Sequence, residues 1–336
     1  MYPLDPSSEQ MREMGEAALS YVIEFIRGIG EAPASNAEGG AELAHRLRSE
    51  PPEEGGLFEE VLADVREAAA NAYDTTGEGY LAYIPGGGLF AAALGDFLAL
   101  GVNRYVGLWA PTPGAVQIEE NVARWLCSLF GWGEGSQGVL TSGGSMANFS
   151  ALVAARHAKL GEDFTDGTYY VSEQAHASVT KAATLAGFSE RNVRLVPTDP
   201  ELRMDPDALR RMVKEDLVAG HRPFLVGPSA GTTNTGAVDP LDAIADVAEE
   251  HELWMHVDGA YGGFFILTER GRARFRGIER ADSVTLDPHK GLFLPYGTGA
   301  IVVRDGENLR QAHFEGAAYL QDLAPAGELP NYSEYS

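Results

Sequence analysis

The chain has 336 residues, of which 44% are hydrophobic and 22% charged, a composition typical of a folded protein with one large core or two ordinary ones. Acidic residues outnumber basic ones 49 to 25, and the net charge of −24 argues against nucleic acid and anionic lipid as partners. The single cysteine, Cys127, excludes an intramolecular disulfide, and its apolar helical surroundings predict a buried thiol.

The N-terminal residues and the overall hydropathy predict a cytoplasmic protein. Residues 1–5 do not combine a basic region with an apolar run, so we expect no signal peptide. The apolar runs elsewhere are too short and too broken to span a bilayer. We therefore expect no contact with a membrane.

Residues 1–80 predict three helices joined by turn-rich connectors. Ser7 and Gln10 fit a capping box at the start of the first helix, and a later helix begins near Phe58. Three helices without strands make a poor core by themselves. We therefore expect this segment to pack on something else, such as another subunit.

From about residue 81, short apolar runs alternate with helical patterns, which indicates an α/β fold with a largely parallel sheet. Glycine-rich and polar residues gather where the strands end, and open α/β sheets bind ligands at that edge. The predicted strands cover residues 138–141, 169–171, 224–226, 253–257, 283–286 and 300–303, and the predicted helices cover 146–160, 179–186 and 241–250.

The run TSGGSMAN (residues 141–148) joins a predicted strand to a predicted helix. Glycines allow the backbone to approach a ligand closely, and the free amides at the start of a helix suit a phosphate. The same run is equally compatible with a tight turn capped by serine. It lacks the Gly-Lys-Ser/Thr ending of a nucleotide-binding loop.

Two further runs carry an aspartate and a lysine at strand ends, HVDGAY (residues 256–261) and DPHKG (residues 287–291). The Asp258 carboxylate suits a protonated pyridine nitrogen, which makes pyridoxal 5'-phosphate (PLP) a strong electron sink. Lys290 on a loop after an apolar strand suits a Schiff base, which needs a reachable and partly desolvated amine. Alone, each residue has an ordinary explanation, a turn cap for Asp258 and a solvated surface group for Lys290.

The order of these residues favours a PLP site over the separate explanations. A glycine-serine loop is followed by His176, then Asp258, then Lys290, each at a predicted strand end. In such a site His176 would stack on the cofactor ring and meet the substrate carboxylate. Without the others, it would be read as a helix cap or a surface group.

Two other runs of the sequence resemble motifs with a different chemistry, a zinc site and a serine hydrolase. The run HELWMH (residues 251–256) resembles the HExxH zinc motif but has one residue too many between the histidines, so we predict no metal. The run GGSMA (residues 143–147) approximates a hydrolase nucleophile elbow, and the order Ser145, Asp258, His289 matches a hydrolase triad. A serine hydrolase leaves Lys290 and His176 without a role, but it stays open as an alternative.

At these residues the chain resembles the group II PLP-dependent decarboxylases, the relatives of aromatic-L-amino-acid decarboxylase and glutamate decarboxylase. The likeness is strongest over residues 138–304, and HVDGAY and DPHK are specific to this group when they occur together in this order. The resemblance implies the type I PLP-dependent transferase fold, with a mostly parallel seven-stranded sheet flanked by helices. It also implies a homodimer, with residues 1–80 as the dimerisation segment, 81–310 as the PLP-binding domain and 311–336 as the start of a catalytic loop.

The resemblance also assigns roles to individual residues. Lys290 would carry PLP as a Schiff base, Asp258 would pair with the ring nitrogen, and His176 would stack on the ring opposite Ala260. These four residues, with Tyr319, make up the core of the expected site. The other matched positions are Gly144, Ser145 and His289 near the phosphate, Thr232 near the cofactor's edge, and Tyr83 in the substrate pocket.

The activity implied by the resemblance is decarboxylation of an L-amino acid to the amine and CO2. Tyr319 matches a loop tyrosine that supplies a proton after CO2 leaves, where oxidatively deaminating members have phenylalanine; an ordinary surface tyrosine is the alternative. Tyr83 and the apolar residues Leu89 and Phe90 favour an aromatic amino acid as substrate.

Two features depart from the family pattern. Gly291 follows the lysine, where many members carry a bulky residue, and Ser336 comes only 46 residues after Lys290, too few for the family's small C-terminal domain. This second feature keeps another hypothesis open, in which the chain is an inactive homologue that acts as a partner subunit.

Overall fold

The computed structural model describes residues 5–77, 80, 86, 88–314 and 330–335. The chain divides into two compact units, Met1–Gly88 and Leu89–Ser336. The roles predicted for residues 1–80, 81–310 and 311–336 stay predictions. Within the described ranges, none of the helices combines the length and apolarity that a bilayer crossing needs.

The first unit contains the three expected helices, α1 (Ser8–Gly28), α2 (Gly40–Leu47) and α3 (Phe58–Ala70). The predicted capping box is confirmed, because the Gln10 amide donates to Ser7 Oγ at 3.3 Å and the Ser7 amide donates to Gln10 Oε1 at 2.8 Å. Leu43 is the one residue of these helices that is fully buried. The helices therefore leave most of their apolar side chains without cover inside this unit.

The second unit is built on a seven-stranded sheet in the order β1-β7-β6-β5-β4-β2-β3. Strands β2 to β6 pair in parallel, and β7 runs antiparallel to both neighbours, β1 and β6. The predicted α/β fold with a mostly parallel seven-stranded sheet is confirmed. The strands are β1 (Gln137–Thr141), β2 (Gly167–Ser172), β3 (Val193–Val196), β4 (Arg222–Gly227), β5 (Trp254–Gly259), β6 (Ser283–Leu286) and β7 (Gly299–Val303).

Helices cover both faces of this sheet and create two buried cores. Successive strand residues point to opposite faces, so in β2 Tyr169 and Val171 belong to one buried cluster and Tyr170 to the other. Cys127 is buried in the second cluster, as expected. The helices of the unit are α4 (Phe90–Val102), α5 (Pro113–Ser128), α6 (Gly144–Leu160), α7 (Ala177–Leu185), α8 (Pro206–Val218), α9 (Leu241–Glu250), α10 (Glu269–Arg274), α11 (Pro288–Gly291) and α12 (Gly306–His313).

The structure contains elements that the sequence patterns did not predict, and one strand is longer than expected. The unpredicted elements are strand β3 and the helices α4, α8, α10, α11 and α12. Strand β3 is a four-residue edge strand with an exposed leucine, Leu195, among its apolar residues, so its pattern is weak. Strand β5 continues through Asp258 to Gly259, because both residues pair with β6. Asp258 therefore lies inside the strand, one residue before its end.

Candidate active site

The N-terminus of α6 forms one wall of the site. Gly143 has a φ of 150°, a backbone conformation that side-chain-bearing residues rarely adopt, and it precedes the first helical turn. Gly144 is packed so closely that a Cβ there would lie 2.9 Å from the Ala260 Cβ and 3.0 Å from Asp287 Oδ2. Ser145 is exposed in the same turn. The Met146 and Ala147 amides donate to the Gly143 carbonyl oxygen, so the earlier amides of this turn and the dipole of the 17-residue helix are the groups that suit an anion.

Lys290 lies in the short helix α11, directly after β6. Its Nζ is 2.8 Å from Oδ2 of Asp287, and the lysine side chain keeps 18% of its surface exposed while the aspartate keeps 2%. The other carboxylate oxygen, Asp287 Oδ1, is buried and has no hydrogen-bond partner in the described part of the chain. His289 Nδ1 donates to the Thr298 carbonyl oxygen at 2.6 Å, and its Nε2 lies 3.6 Å from Asp287 Oδ2.

Asp258 is a buried residue near the carboxyl end of β5, and each of its oxygens accepts a hydrogen bond. The Asn148 amide group donates to Oδ2 at 3.2 Å, and the Ala260 backbone amide donates to Oδ1 at 3.1 Å. Both donors stabilise the charged form of the carboxyl group. The carboxylate is therefore prepared to face a cationic partner such as a protonated pyridine nitrogen.

Asp258 is connected to a series of buried polar side chains that belong to α6, β5 and β6. Asn148 Oδ1 lies 3.0 Å from His256 Nε2, and His256 Nδ1 lies 2.8 Å from Ser283 Oγ. Trp254 Nε1 donates to the same serine oxygen at 2.9 Å. Complete burial lowers the pKa of His256 to about 4, against the pull of the nearby Asp258 charge, so this imidazole is neutral near pH 7.

His176 begins helix α7 as its N-cap residue. Its Nδ1 accepts the Ser178 backbone amide at 3.2 Å and lies 2.8 Å from Ser178 Oγ, while the residue remains exposed. Because Nδ1 accepts in both contacts, the ring proton lies on Nε2, which faces away from the helix cap. Asn148 also donates to Ser178 Oγ, at 3.0 Å, so His176 is linked to the residue that holds Asp258.

Thr232 belongs to the turn after β4. The Ala230 amide in this turn donates to the Asp258 carbonyl oxygen at 2.8 Å, which places the turn beside β5. The Thr232 hydroxyl, however, lies 2.6 Å from the Thr235 hydroxyl, inside its own turn. Thr232 is therefore close to the site in the fold, with its hydroxyl occupied locally.

The geometry disfavours the two other chemistries. His289 and Asp258 use their polar atoms on Thr298, Asn148 and Ala260, and within the described residues neither contacts Ser145 as a triad would require. His251 follows the end of α9 and His256 lies in β5, so the two histidines sit on separate elements. No group of three metal-ligating side chains occurs in the ranges that the structure describes.

Contacts near the carboxyl ends of the parallel strands link most of the expected site residues. Tyr83 and Tyr319 lie outside the described residues. Four further residues of the site have no role in the sequence-based prediction, although Asn148, His256 and Asp287 lie within its motifs. The position of Asp287 three residues before Lys290 is a signal that could have identified it. The convergent set is Gly144, Ser145, His176, Asp258, Ala260, His289 and Lys290, and the additional residues are Asn148, Ser178, His256 and Asp287.

These features fit PLP. Gly144 allows the α6 N-terminus to pack closely against Ala260 and Asp287, and the amides at a helix start suit a phosphate. Lys290 provides a partly exposed amine, and Asp258 provides a buried carboxylate with both oxygens already supported by donors. The orphaned Asp287 Oδ1 is a buried acceptor that a ligand with a donor can satisfy.

Comparison with known proteins agrees with this assignment. An aromatic-L-amino-acid decarboxylase of Bacillus atrophaeus is 38% identical over 320 residues, which cover 95% of this chain and 67% of that protein. Tyrosine/DOPA decarboxylase 2 of Papaver somniferum is 32% identical over 335 residues, which cover 96% of this chain and 63% of that protein. The chain thus spans about two thirds of the length of these relatives.

A solved structure and a family model point the same way. The crystal structure of Oryza sativa TDC with PLP and tryptamine superposes with a TM-score of 0.90 at 28% identity, covering 99% of this chain and 71% of that one. The model of the pyridoxal-dependent decarboxylase conserved domain matches residues 41–332. The chain therefore belongs to the pyridoxal-dependent decarboxylase family, whose cofactor is PLP.

Proposed function

We propose that this chain binds PLP covalently through Lys290 and decarboxylates an L-amino acid, with an aromatic amino acid as the favoured substrate. The observation that carries the proposal is the Lys290–Asp287 pair, at 2.8 Å. Asp287 packs against Gly144 at the α6 N-terminus, and Gly144 packs against Ala260, whose amide donates to the Asp258 carboxylate. An amine, an anion site and a buried carboxylate are the three groups that PLP needs from a protein.

When bound, PLP supplies an electron sink for the pair of electrons left behind as CO2 departs. Asp258 would hold a proton on the ring nitrogen, since its charge is stabilised by Asn148 and by the Ala260 amide. The first turn of α6 would bind the phosphate through its amides and the exposed Ser145 hydroxyl. His289, held in place by its hydrogen bond to the Thr298 carbonyl oxygen, would lie beside the same phosphate.

Lys290 must be neutral to attack an aldehyde, and Asp287 is placed to hold its proton. The carboxylate is buried and contacts the ammonium directly, so the proton can pass between the two groups without a solvent molecule. His176 presents its Nε2–H side away from the α7 cap. We propose that this face orients the substrate carboxylate above the cofactor ring.

Tyr319 and Tyr83 complete the proposal. Tyr319 would deliver a proton to the carbon that loses CO2, and Tyr83 would line the pocket for the substrate side chain. The names of the relatives support an aromatic substrate, since they describe decarboxylases of aromatic-L-amino acids and of tyrosine and DOPA. The similar crystal structure of Oryza sativa TDC with PLP and tryptamine supports the same class.

We further propose that the chain works as a homodimer. Helix α4 buries none of its residues although it is strongly apolar. Its exposed side chains include Leu94, Phe97, Leu98 and Leu100, with exposures of 41%, 69%, 62% and 78%. A contiguous apolar face of this kind marks a protein interface, and a second copy of this chain is the proposed occupant.

The test of the PLP proposal is chemical trapping followed by product analysis. The purified chain is incubated with PLP, reduced with borohydride and mapped by peptide mass spectrometry, and CO2 and amine release are measured for tryptophan, tyrosine, phenylalanine, glutamate and cysteine sulfinate. The matched control is Lys159→Ala, because Lys159 lies near the far end of α6, about 20 Å from its first turn. Lys290→Ala should abolish the adduct and Lys159→Ala should leave it unchanged.

The outcomes separate the hypotheses. An adduct on Lys290 with release of aromatic amines supports the whole proposal. An adduct without product favours the partner-subunit hypothesis, and no adduct on a folded chain rejects the PLP proposal. Labelling of Ser145 by a fluorophosphonate, with no adduct on Lys290, would favour the hydrolase.

The test of the homodimer is its mass in solution. Sedimentation equilibrium should give twice the chain mass, and Phe97→Glu should shift the population towards the monomer. Val218→Glu is the control, because Val218 is 91% exposed at the end of α8 and should have no influence on association. A monomer in the unmodified chain would contradict the proposal.

A further inference from the structure

Asn148 lies in the second turn of α6 and is 3% exposed, although its side chain is entirely polar. Its amide group has two hydrogens and two acceptor lone pairs, and each of them has a partner. The nitrogen donates to Asp258 Oδ2 at 3.2 Å and to Ser178 Oγ at 3.0 Å. The oxygen accepts from the Thr285 hydroxyl at 2.7 Å and from His256 Nε2 at 3.0 Å.

The partners allow one orientation of this amide. With the amide reversed, its oxygen would face the Asp258 carboxylate and its hydrogens would face the Thr285 hydroxyl and the His256 ring. The observed orientation satisfies all four contacts, and it requires the proton of His256 to lie on Nε2. Nδ1 of that ring then accepts from Ser283, whose oxygen accepts in turn from Trp254 Nε1.

The result is a directional series of donors that ends on the Asp258 carboxylate. Trp254 donates to Ser283, Ser283 to His256, His256 to Asn148, and Asn148 to Asp258. Hydrogen bonds in a buried series polarise each other, and each bond here stabilises negative charge at its end. Burial keeps the pKa of His256 low, at about 4, so the series holds at neutral pH.

The second hydrogen of the same amide group reaches the other side of the site. By donating to Ser178 Oγ, Asn148 frees the serine hydrogen for His176 Nδ1, at 2.8 Å. The Asn148 side chain thus contacts Asp258 directly and reaches His176 through one intervening serine. Asp258 and His176 are the two residues that are proposed to contact the cofactor ring. The connections of Asn148 come from α6, α7, β5 and β6, so no single element could supply them.

We infer that Asn148 is a positioning residue that fixes the Asp258 carboxylate and links it, through Ser178, to His176. The inference rests on the proposed function for the identity of the bound group. Asn148 itself does not contact the reacting atoms. Its effect is on the direction and charge of Asp258 and on the tautomer of His176.

The first test needs no cofactor. In the unmodified apo chain, ¹⁵N NMR of the histidine rings should show His256 as the neutral Nε2–H tautomer at pH 7. Asn148→Leu should remove its acceptor and change the Nε2 signal, whereas Asn192→Leu should not. Asn192 is a matched control, because it is equally buried but donates to the Thr165 and Gly167 carbonyls. A charged ring or the Nδ1–H tautomer in the unmodified chain would overturn the inference.

The second test is the visible band of bound PLP, followed against pH. When the ring nitrogen is protonated less fully, the PLP ring withdraws fewer electrons from the nitrogen atom that joins it to Lys290. That nitrogen atom would then keep its proton up to a higher pH. Asn148→Leu should therefore raise the pH midpoint of the band by about one unit, a tenfold change. Asn192→Leu should lower the Tm and leave the midpoint in place.

A double-mutant cycle separates positioning from a structural role. In an Asp258→Asn background the carboxylate is absent, so Asn148→Leu should produce no further shift of the midpoint. An equal shift in both backgrounds, or a change in Tm without a shift, would overturn the inference. Absence of any PLP adduct on Lys290 would instead count against the proposed function, and the NMR test would still decide the role of Asn148.

Discussion

Lys290 and Asp287 form an ion pair within one turn of the chain, with 2.8 Å between Nζ and Oδ2. The pair is asymmetric, because the lysine is partly exposed and the aspartate is almost completely buried. Burying a carboxylate costs free energy when one of its oxygens, here Oδ1, has no partner among the described residues. The cost indicates that Asp287 has a function. In the proposed reaction it holds the proton of the attacking amine.

Replacing Asp287 should make PLP capture slower. Asp287→Asn removes the carboxylate that is proposed to take the proton of the Lys290 amine, so the second-order rate of adduct formation at pH 7 should fall about tenfold or more. Stopped-flow absorbance with added PLP measures this rate. Asp282→Asn is the control, because Asp282 lies just before the other end of β6 and pairs with Arg304. An unchanged or faster capture in Asp287→Asn would contradict the role proposed for this carboxylate.

Loss of the Asp258 charge should harm turnover more than cofactor affinity. Asp258→Asn should reduce kcat by about 100-fold or more, since the charge acts where electrons accumulate, and should change the Kd of PLP by less than about tenfold. Steady-state amine release and equilibrium dialysis give the two quantities. Asp216→Asn is the control. Asp216 is a buried aspartate that lies away from the site and accepts hydrogen bonds from Arg194 and Tyr170. Equal turnover in Asp258→Asn would contradict the role assigned to its charge.

His256 should make the protein less stable in mild acid. Burial lowers its pKa to about 4, below the value of about 6.5 in the unfolded chain, so the unfolded state binds more protons between these values. Stability should therefore fall as the pH decreases from about 6.5 to about 4, by on the order of 3 kcal/mol, with no further loss from this group below that range.

The measurement compares urea unfolding of the unmodified chain with that of His256→Gln across this pH range. The comparison matters because burial raises the pKa of Asp239 to about 6, which gives an opposite slope between about 6 and 4 in both proteins. The difference between the two proteins isolates His256. If that difference does not depend on pH, the imidazole is not held neutral by the fold.

Cys127 should be chemically inert in the folded protein. Burial raises the pKa of its thiol to about 11, and the side chain lies in the core against α5 neighbours. A thiol reagent at pH 8 should therefore react at least about 100-fold more slowly with the native chain than with the chain in guanidinium chloride, where one thiol per chain should react. Rapid modification of the native protein would contradict the packing of this core.

The sequence by itself determined the class of fold and indicated the main residues of the candidate site. Apolar runs alternating with helical periods predicted the α/β sheet, because a strand buried on both faces must be apolar throughout. HVDGAY and DPHK placed Asp258 and Lys290 at strand ends, and parallel strands bring such ends to one edge. These features depend on residues that are near each other in the chain.

Only the tertiary structure decided how these residues are supported. The antiparallel course of β7 and the short edge strand β3 depend on pairings between distant segments. The four contacts of Asn148 come from positions up to 137 residues away in the chain. A hydrogen bond requires two atoms about 3 Å apart, and the sequence specifies such a distance only through the packing of the whole sheet and its helices.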